Sequence, residues 1–373
     1  MNISAQKALI NALNQHQAYL YRASSQSVNE LTKRFNSISN AQLSRLNELL
    51  EELTDSELNA LKSLNFSSKA KTSKRISEIK ALLQDWFNSL DVDLSDQFNK
   101  SALDLAIYEA TYTFKLVGET ATAISGNEIY QAVKRTPYAG GQLVDSLFSD
   151  LSDALRKKVQ YIIRDGISQG FTNQQIIQKI KGKKALDYKD GVLASSRTSI
   201  ERQVRTARSH VANVSYEETY KALGFTHLKF VATLDGRTSL QCASLDQTMW
   251  KMGDPAIRRP PLHPNCRSVL LGVDENGELS GQRPFVMDER KVKDIPKAER
   301  KDLIGQLDAN TSFKDFFDQT DEFFQKEWLG SSRYKLYKDG HYSIDKFVDP
   351  IGRQYTLKEL KALDKKTFKE LGL

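Results

Sequence analysis

From Ala5 to about Leu116 the chain places apolar residues three and four positions apart, as in Leu43, Leu46, Leu49, Leu50 and Leu53, with charged residues in the gaps. That period keeps one face of an α-helix apolar, so the stretch predicts a run of amphipathic helices forming an arm or bundle for partner contacts. No proline interrupts it before Pro137. Serine-rich joints at Ser37 to Asn40 and Ser67 to Ser73 offer loop or N-cap residues, and Ser95 is a candidate cap for a later helix carrying Leu103, Ile107, Tyr108 and Ala110. Thr136 to Gly141 reads as a turn, after which helical spacing resumes through Leu147, Leu151, Leu155, Val159 and Ile163. Gly170 marks the end of that helix. Thr172 and Gln175 then form a capping-box pattern at the head of a short helix over Ile176, Ile177 and Ile180. A longer helix runs from about Arg197 to Leu223 and closes at Gly224.

Past Gly224 the period changes from helical to alternating. His227 to Leu234 reads as a strand, with Leu228, Phe230 and Ala232, or the opposite register, turned inward. It leads into a turn at Asp235-Gly236. Arg237-Thr238-Ser239 opens a short helix that carries Cys242 and Leu245 and is closed by Asp246. After a loop containing Trp250, the run Pro260-Pro261-Leu262-His263-Pro264-Asn265-Cys266 enters a final strand, Val269 to Val273. Three prolines around one histidine stiffen this loop, which suits a site that holds His263 and Cys266 together. From about Arg283 the tail reads as short helices anchored by Phe313, Phe316, Phe317, Phe323, Phe324 and Trp328, the composition of a small packed core. The expected fold class is α+β and predominantly α-helical: a helical N-terminal region over 1–129, a central domain with a small β-sheet over 130–282, and a helical C-terminal extension over 283–373.

A chain of 373 residues accommodates such a division into two or three domains. No uninterrupted apolar stretch approaches the roughly 20 residues of a membrane span, and the N-terminus lacks the apolar core of a secretion signal. A cytoplasmic protein without membrane contact is therefore expected. The net charge of +7 leans toward polyanions without establishing a nucleic-acid contact. Arg197, Arg202, Arg205 and Arg208 on the long helix, with Lys181, Lys183 and Lys184, are either a solvated surface or phosphate contacts whose affinity falls with salt.

Both cysteines, Cys242 and Cys266, lie in the proline-rich stretch. In a reducing cytoplasm they are expected as free thiols or metal ligands rather than a disulfide. With His263, and Asp246 or Asp235 as a fourth ligand, they have the residue types of a structural Zn²⁺ site; the alternative is a metal-free core of two thiols and a hydrogen-bonded histidine. Asp235 either caps the following helix or pairs with Arg237. Arg267 either pairs with one of the two aspartates or reaches an external phosphate. No His-Glu-x-x-His spacing supports a metal-dependent nuclease, and no glycine-framed turn surrounds either cysteine as a thiol protease needs. The expectation is no catalytic residue and no enzyme.

The combination of Asp235, Arg237, Thr238, Ser239, Cys242 and Asp246 with Pro260, Pro261, His263, Pro264, Cys266 and Arg267 resembles the Mu-F-like phage head morphogenesis family. Either half alone is weak; the two in order are specific. The resemblance covers roughly residues 130 to 275, and the tail is similar, less specifically, to C-terminal extensions of some members. It implies a minor head (minor capsid) protein of a tailed bacteriophage, acting in procapsid assembly at the portal vertex and in DNA packaging or delivery. Its partners would be the portal and major capsid proteins, with non-specific DNA besides, and its place the capsid interior or portal vertex of a virion assembled in the host cytoplasm. In that setting Asp235, Arg237, Thr238, Ser239, Pro261, Pro264 and Arg267 serve the fold. The alternative is a DNA-binding protein on the packaged genome or, further off, the nuclease.

Overall fold

The computed structural model describes residues 3–118, 125–138, 140–288, 290 and 292–373, with side chains in the first helix from His16 onward except 17, 18 and 21. Among these residues fourteen α-helices and six short strands make a predominantly helical α+β fold, as expected. Four helices come first: α1 (Ile3–Glu51), α2 (Asp55–Lys62), α3 (Lys74–Leu116) and α4 (Gly126–Arg135). Next are α5 (Leu147–Ser168), α6 (Asn173–Lys181) and α7 (Val192–Ala222).

Two of the expected breaks are absent. Ser37 to Asn40 lies inside α1 and Ser95 inside α3, because the apolar stripes run on through them. Phe35, Ser39 and Leu43 are buried four residues apart, and Ser39 accepts a 3.3 Å hydrogen bond from the Trp86 indole. Leu90, Leu94, Phe98 and Ala102 form the same stripe on α3, beside Ser95 rather than through it. A serine's competition with the helix backbone is a weak local effect, and burial of a continuous stripe outweighs it. The joint at Ser67 to Ser73 does remain a loop, and Ser73 Oγ accepts from the Ile76 amide at 3.3 Å.

The chain forms two compact units, each assembled from non-consecutive stretches. One comprises 22–104 with 141–208. Here the Thr172–Gln175 capping box forms in both directions, at 3.2 and 2.8 Å, and α6 packs against α5 so closely that a Cβ on Gly166 would lie 2.7 Å from the Ile176 side chain.

The other unit comprises 1–21, 105–140 and 209–373. Its first sheet has β1 (His227–Val231) between β3 (Met249–Lys251) and β4 (Val269–Val273), all antiparallel, with Phe230 opposite Leu270. Helix α7 is fixed to it from Ser209 onward. The Leu270 amide donates to Asn213 at 3.2 Å, and Gly272 leaves room for the rings of Tyr220 and Phe225, where a Cβ would collide at 2.8–2.9 Å. Buried Glu109 accepts from Tyr216 at 2.7 Å and lies 2.9 Å from His16, a long-range network with no local signature.

The second sheet joins β2 (Leu234–Asp235) in parallel to β5 (Gln282–Val286), which pairs antiparallel with β6 (Ile304–Asp308). Between β2 and β3 stands α8 (Leu240–Leu245), and before β6 a single-turn helix, α9 (Arg300–Leu303). The tail adds α10 (Phe313–Asp318), α11 (Glu322–Leu329), α12 (Ser331–Lys338), α13 (Leu357–Leu363) and α14 (Lys365–Glu370). The aromatic core is present: Phe313, Phe316, Phe317 and Phe324 are buried together with Leu234, Leu240 and Ala243. Phe323 is not part of it and stands 74% exposed, since Phe324 takes the inward position at the head of α11.

Replacing Phe317, which is fully buried, with alanine is expected to cost about 3–5 kcal/mol, read from the denaturant midpoint. His210 gives a pH test. It lies 3.2 Å from the Val133 carbonyl, and burial pulls its pKa down to about 4. An unfolded histidine titrates near 6.5, so the unfolded chain takes up a proton that the folded one refuses. Stability should therefore fall by roughly 3 kcal/mol as pH drops from about 6.5 to about 4, and His210→Gln should flatten that slope.

Candidate functional site

The site begins where β2 ends. Asp235 turns the chain by accepting from the Arg237 amide at 3.0 Å and the Thr238 hydroxyl at 3.2 Å, and Thr238 donates back to the Thr233 carbonyl at 2.5 Å. Ser239 is the N-cap of α8, its hydroxyl accepting from the Cys242 amide at 3.2 Å, so that Arg237 and Thr238 belong to the turn before the helix, and Asp246 is the C-cap, the close that the sequence predicts. The proline-rich loop supplies the other wall. Pro260–Pro261 is a cis peptide, and Arg259 clamps the loop to α7 through a two-pronged contact with Glu217 at 2.7 and 3.0 Å. His263 to Cys266 is a tight turn: the Cys266 amide donates to the His263 carbonyl at 3.1 Å, and Asn265 takes a left-handed φ of 60°. Proline second and asparagine third is the residue pair such a turn favours, because proline presets its φ and asparagine tolerates the left-handed region.

That turn brings His263 and Cys266 to the same end and presents both to α8. Cys242 Sγ lies 3.6 Å from Cys266 Sγ and 3.2 Å from His263 Nε2, and Ser239 Oγ lies 2.9 Å from the same nitrogen. The donor atoms of Cys242, His263 and Cys266 all fall within 4.8 Å of one another. Both cysteines are buried and unbridged. The hydrogen bond from Cys242, followed by that from His263, pulls the Cys266 thiol well below its ordinary pKa despite burial. The same sulfur–sulfur contact and burial push Cys242 up. Burial lowers His263, but its contact with Cys266 and the Pro264 carbonyl leaves it raised overall.

The two aspartates lie outside this cluster. Asp235 is 1% exposed and faces Arg267, whose two guanidinium nitrogens both reach the carboxylate, one of them at 2.7 Å; Arg237 adds a contact at 3.1 Å. Of the alternatives open to Arg267, the structure thus shows the pair with Asp235. Asp235 itself both caps the turn and pairs with Arg237. Asp246, considered as a fourth metal ligand, has both oxygens engaged elsewhere. It accepts from the Ala232 amide at 2.7 Å and the Phe313 amide at 2.6 Å, and from Arg283 at 3.0 Å on each oxygen. Pro261 is buried and Pro264 exposed on the turn.

Sequence reasoning missed Arg283, Glu217 and Arg259. One signal was present for the first: a carboxylate closing a helix meets the negative end of its dipole, so Asp246 needs a cation from elsewhere. Neither Glu217 nor Arg259 carried a comparable sign.

The basic residues divide. Arg208 is buried at 8% exposure, so it is not a surface phosphate contact. Arg205 pairs with Glu201 at 2.9 Å, and Arg197 donates to Asn36 and to the Tyr188 carbonyl at 3.2 and 3.1 Å. Arg202, Lys183 and Lys184 are exposed, and Lys181 is half-buried over the Tyr188 ring. No helix among the described residues is long and apolar enough to cross a membrane.

Residues 157–271, from within α5 to the middle of β4, match the family described as Phage Mu protein F like protein. The matched segment is about a third of the chain and is similar to that family through the whole of its Asp235-to-Arg267 motif. No curated protein and no solved structure matches the chain.

Asp235 offers the sharpest test of this architecture. Burial alone would raise its pKa, but Arg267 and then Arg237 hold it below the ordinary carboxylate range. A depressed carboxylate contributes stability above its unfolded pKa of about 3.9, and that contribution is lost as pH falls through the folded value. Asp235→Asn should cost about 3–5 kcal/mol at neutral pH, by leaving Arg267 unpaired. Acid titration of unfolding should also be shallower in the variant below about pH 4 than in the parent.

Proposed function

We propose that this protein is a structural minor head protein of a tailed bacteriophage, acting in procapsid assembly at the portal vertex and not as an enzyme. The observation that carries the reading is the Mu-F-like match over 157–271, which contains every motif residue from Asp235 to Arg267. The use the fold makes of those residues supports it. Asp235, Thr238, Ser239 and Arg267 are engaged in bonds within the chain, as a scaffold requires, and Asp235 and Asp246 both face arginines. A metal-dependent nuclease needs an open metal position beside an aligned base, and neither aspartate is free to be that base. The portal and major capsid proteins are the partners, and the capsid interior or portal vertex is the location.

DNA is a second partner in this reading, at the exposed Lys183, Lys184 and Arg202 together with Lys181. Loss of the buried Arg208 from the basic set makes that contact smaller than the row of arginines suggests.

A pull-down of the full chain with the portal and major capsid proteins of the same phage, at low and moderate salt, tests both. Portal association that survives moderate salt is the expected outcome. Retention of DNA with neither protein bound at either salt would replace the head-protein reading with a DNA-binding one. Changing Lys183, Lys184 and Arg202 to glutamate should weaken DNA retention and lower its salt slope by about 0.9 per lost phosphate contact, with portal binding unchanged.

A further inference from the structure

We propose that Cys242, His263 and Cys266 bind one Zn²⁺, which fastens the His-Pro-Asn-Cys turn to the first turn of α8, with the Ser239 hydroxyl or a water completing the tetrahedron. This does not depend on the role in the phage head; either can fail without the other.

Three observations carry it. The first is spacing. Zinc held at about 2.3 Å from sulfur and about 2.0 Å from nitrogen sets tetrahedral ligand atoms about 3.8 Å apart for two sulfurs and about 3.5 Å for sulfur and nitrogen. The structure has 3.6 Å between the sulfurs and 3.2 Å from Cys242 Sγ to His263 Nε2, so little movement admits the ion. A disulfide, by contrast, needs about 2.0 Å.

The second is the histidine's orientation. His263 Nδ1 lies 3.0 Å from the Pro264 carbonyl, which only accepts, so this nitrogen carries the proton. The neutral ring then turns the lone pair of Nε2 toward the thiols, the tautomer that metal-binding histidines adopt when a carbonyl holds the other nitrogen. The third is preorganisation. Each ligand sits on backbone already held without the ion: Cys242 by the Ser239 cap, and His263 and Cys266 by the two ends of one hydrogen-bonded turn. The half-buried imidazole leaves a way in from solvent.

Two thiolates and an imidazole select a soft or borderline ion such as zinc over magnesium, calcium or manganese. Among the described residues no carboxylate joins the three ligands, and Asp235 and Asp246 are held by arginines. With both nearby aspartates held by arginines and so unable to act as a base, the ion's task is to close the loop.

The test uses the full chain prepared without chelators, with zinc measured by elemental mass spectrometry. About one ion per chain is expected, falling to none in Cys242→Ser, Cys266→Ser and His263→Ala, while His263→Cys retains it. Cobalt substituted into the parent protein should give thiolate charge-transfer bands and the visible bands of a tetrahedral ion. If the serine variants do not fold, protection of both parent thiols from alkylation by added zinc takes their place. Folded parent protein that holds neither zinc nor cobalt after supplementation would overturn the proposal, as would full zinc content in a folded Cys242→Ser variant or thiols equally reactive with and without zinc.

Discussion

The ion pair between Asp246 and Arg283 governs the arrangement around it. Its side chains are 1% and 2% exposed, and each charge removed from water costs several kcal/mol unless its full bonding capacity is met. It is met here. Asp246 also takes the amides of Ala232 and Phe313, and Arg283 gives to the carbonyls of Thr311 and Ala232. One contact thereby gathers the end of β1, the end of α8, β5 and the start of α10. None of these can move alone without leaving a charge unmet.

Helix α8 shows why that matters. Six residues are too few to hold a helix by its own hydrogen bonds, so its place is decided at its ends. At one end Asp235, held by Arg267, sets the turn that delivers Ser239; at the other Asp246 is held by Arg283. Cys242 lies between them. The alignment of its sulfur with His263 and Cys266 thus follows from two buried ion pairs whose carboxylates lie outside the cluster.

What could be read in the residues follows the range of the forces concerned. The Thr172–Gln175 box, the close of α8 at Asp246 and the extent of β4 rest on neighbours within four or five positions and stand as read, whereas the stiff loop at His263 to Cys266 is a tight turn rather than an extended run. The convergence of Cys242, His263 and Cys266 was also legible, because the stiff loop and the short helix left few other ways to place them. Asp246 was misjudged as a ligand because its true partner lies 37 residues away in a strand that shows no pattern relating the two. Ser39 and Ser95 were given their local preference, which lost to stripes that only packing reveals. The His16, Glu109 and Tyr216 network spans 93 and 107 positions, beyond any local rule.

The match to the family stops at 271, but the hydrophobic core does not. Leu234, Leu240 and Ala243, inside the matched segment, are covered by aromatic rings from 313 onward, and the indole of Trp328 donates to the Thr238 carbonyl at 2.8 Å. The matched segment is thus narrower than the unit of folding. Recombination that grafted a different tail onto the same segment would have to bring its own apolar lid for those three side chains and its own cation for Asp246. A tail on this segment is in that sense not free cargo: it must carry the complement of the segment it joins.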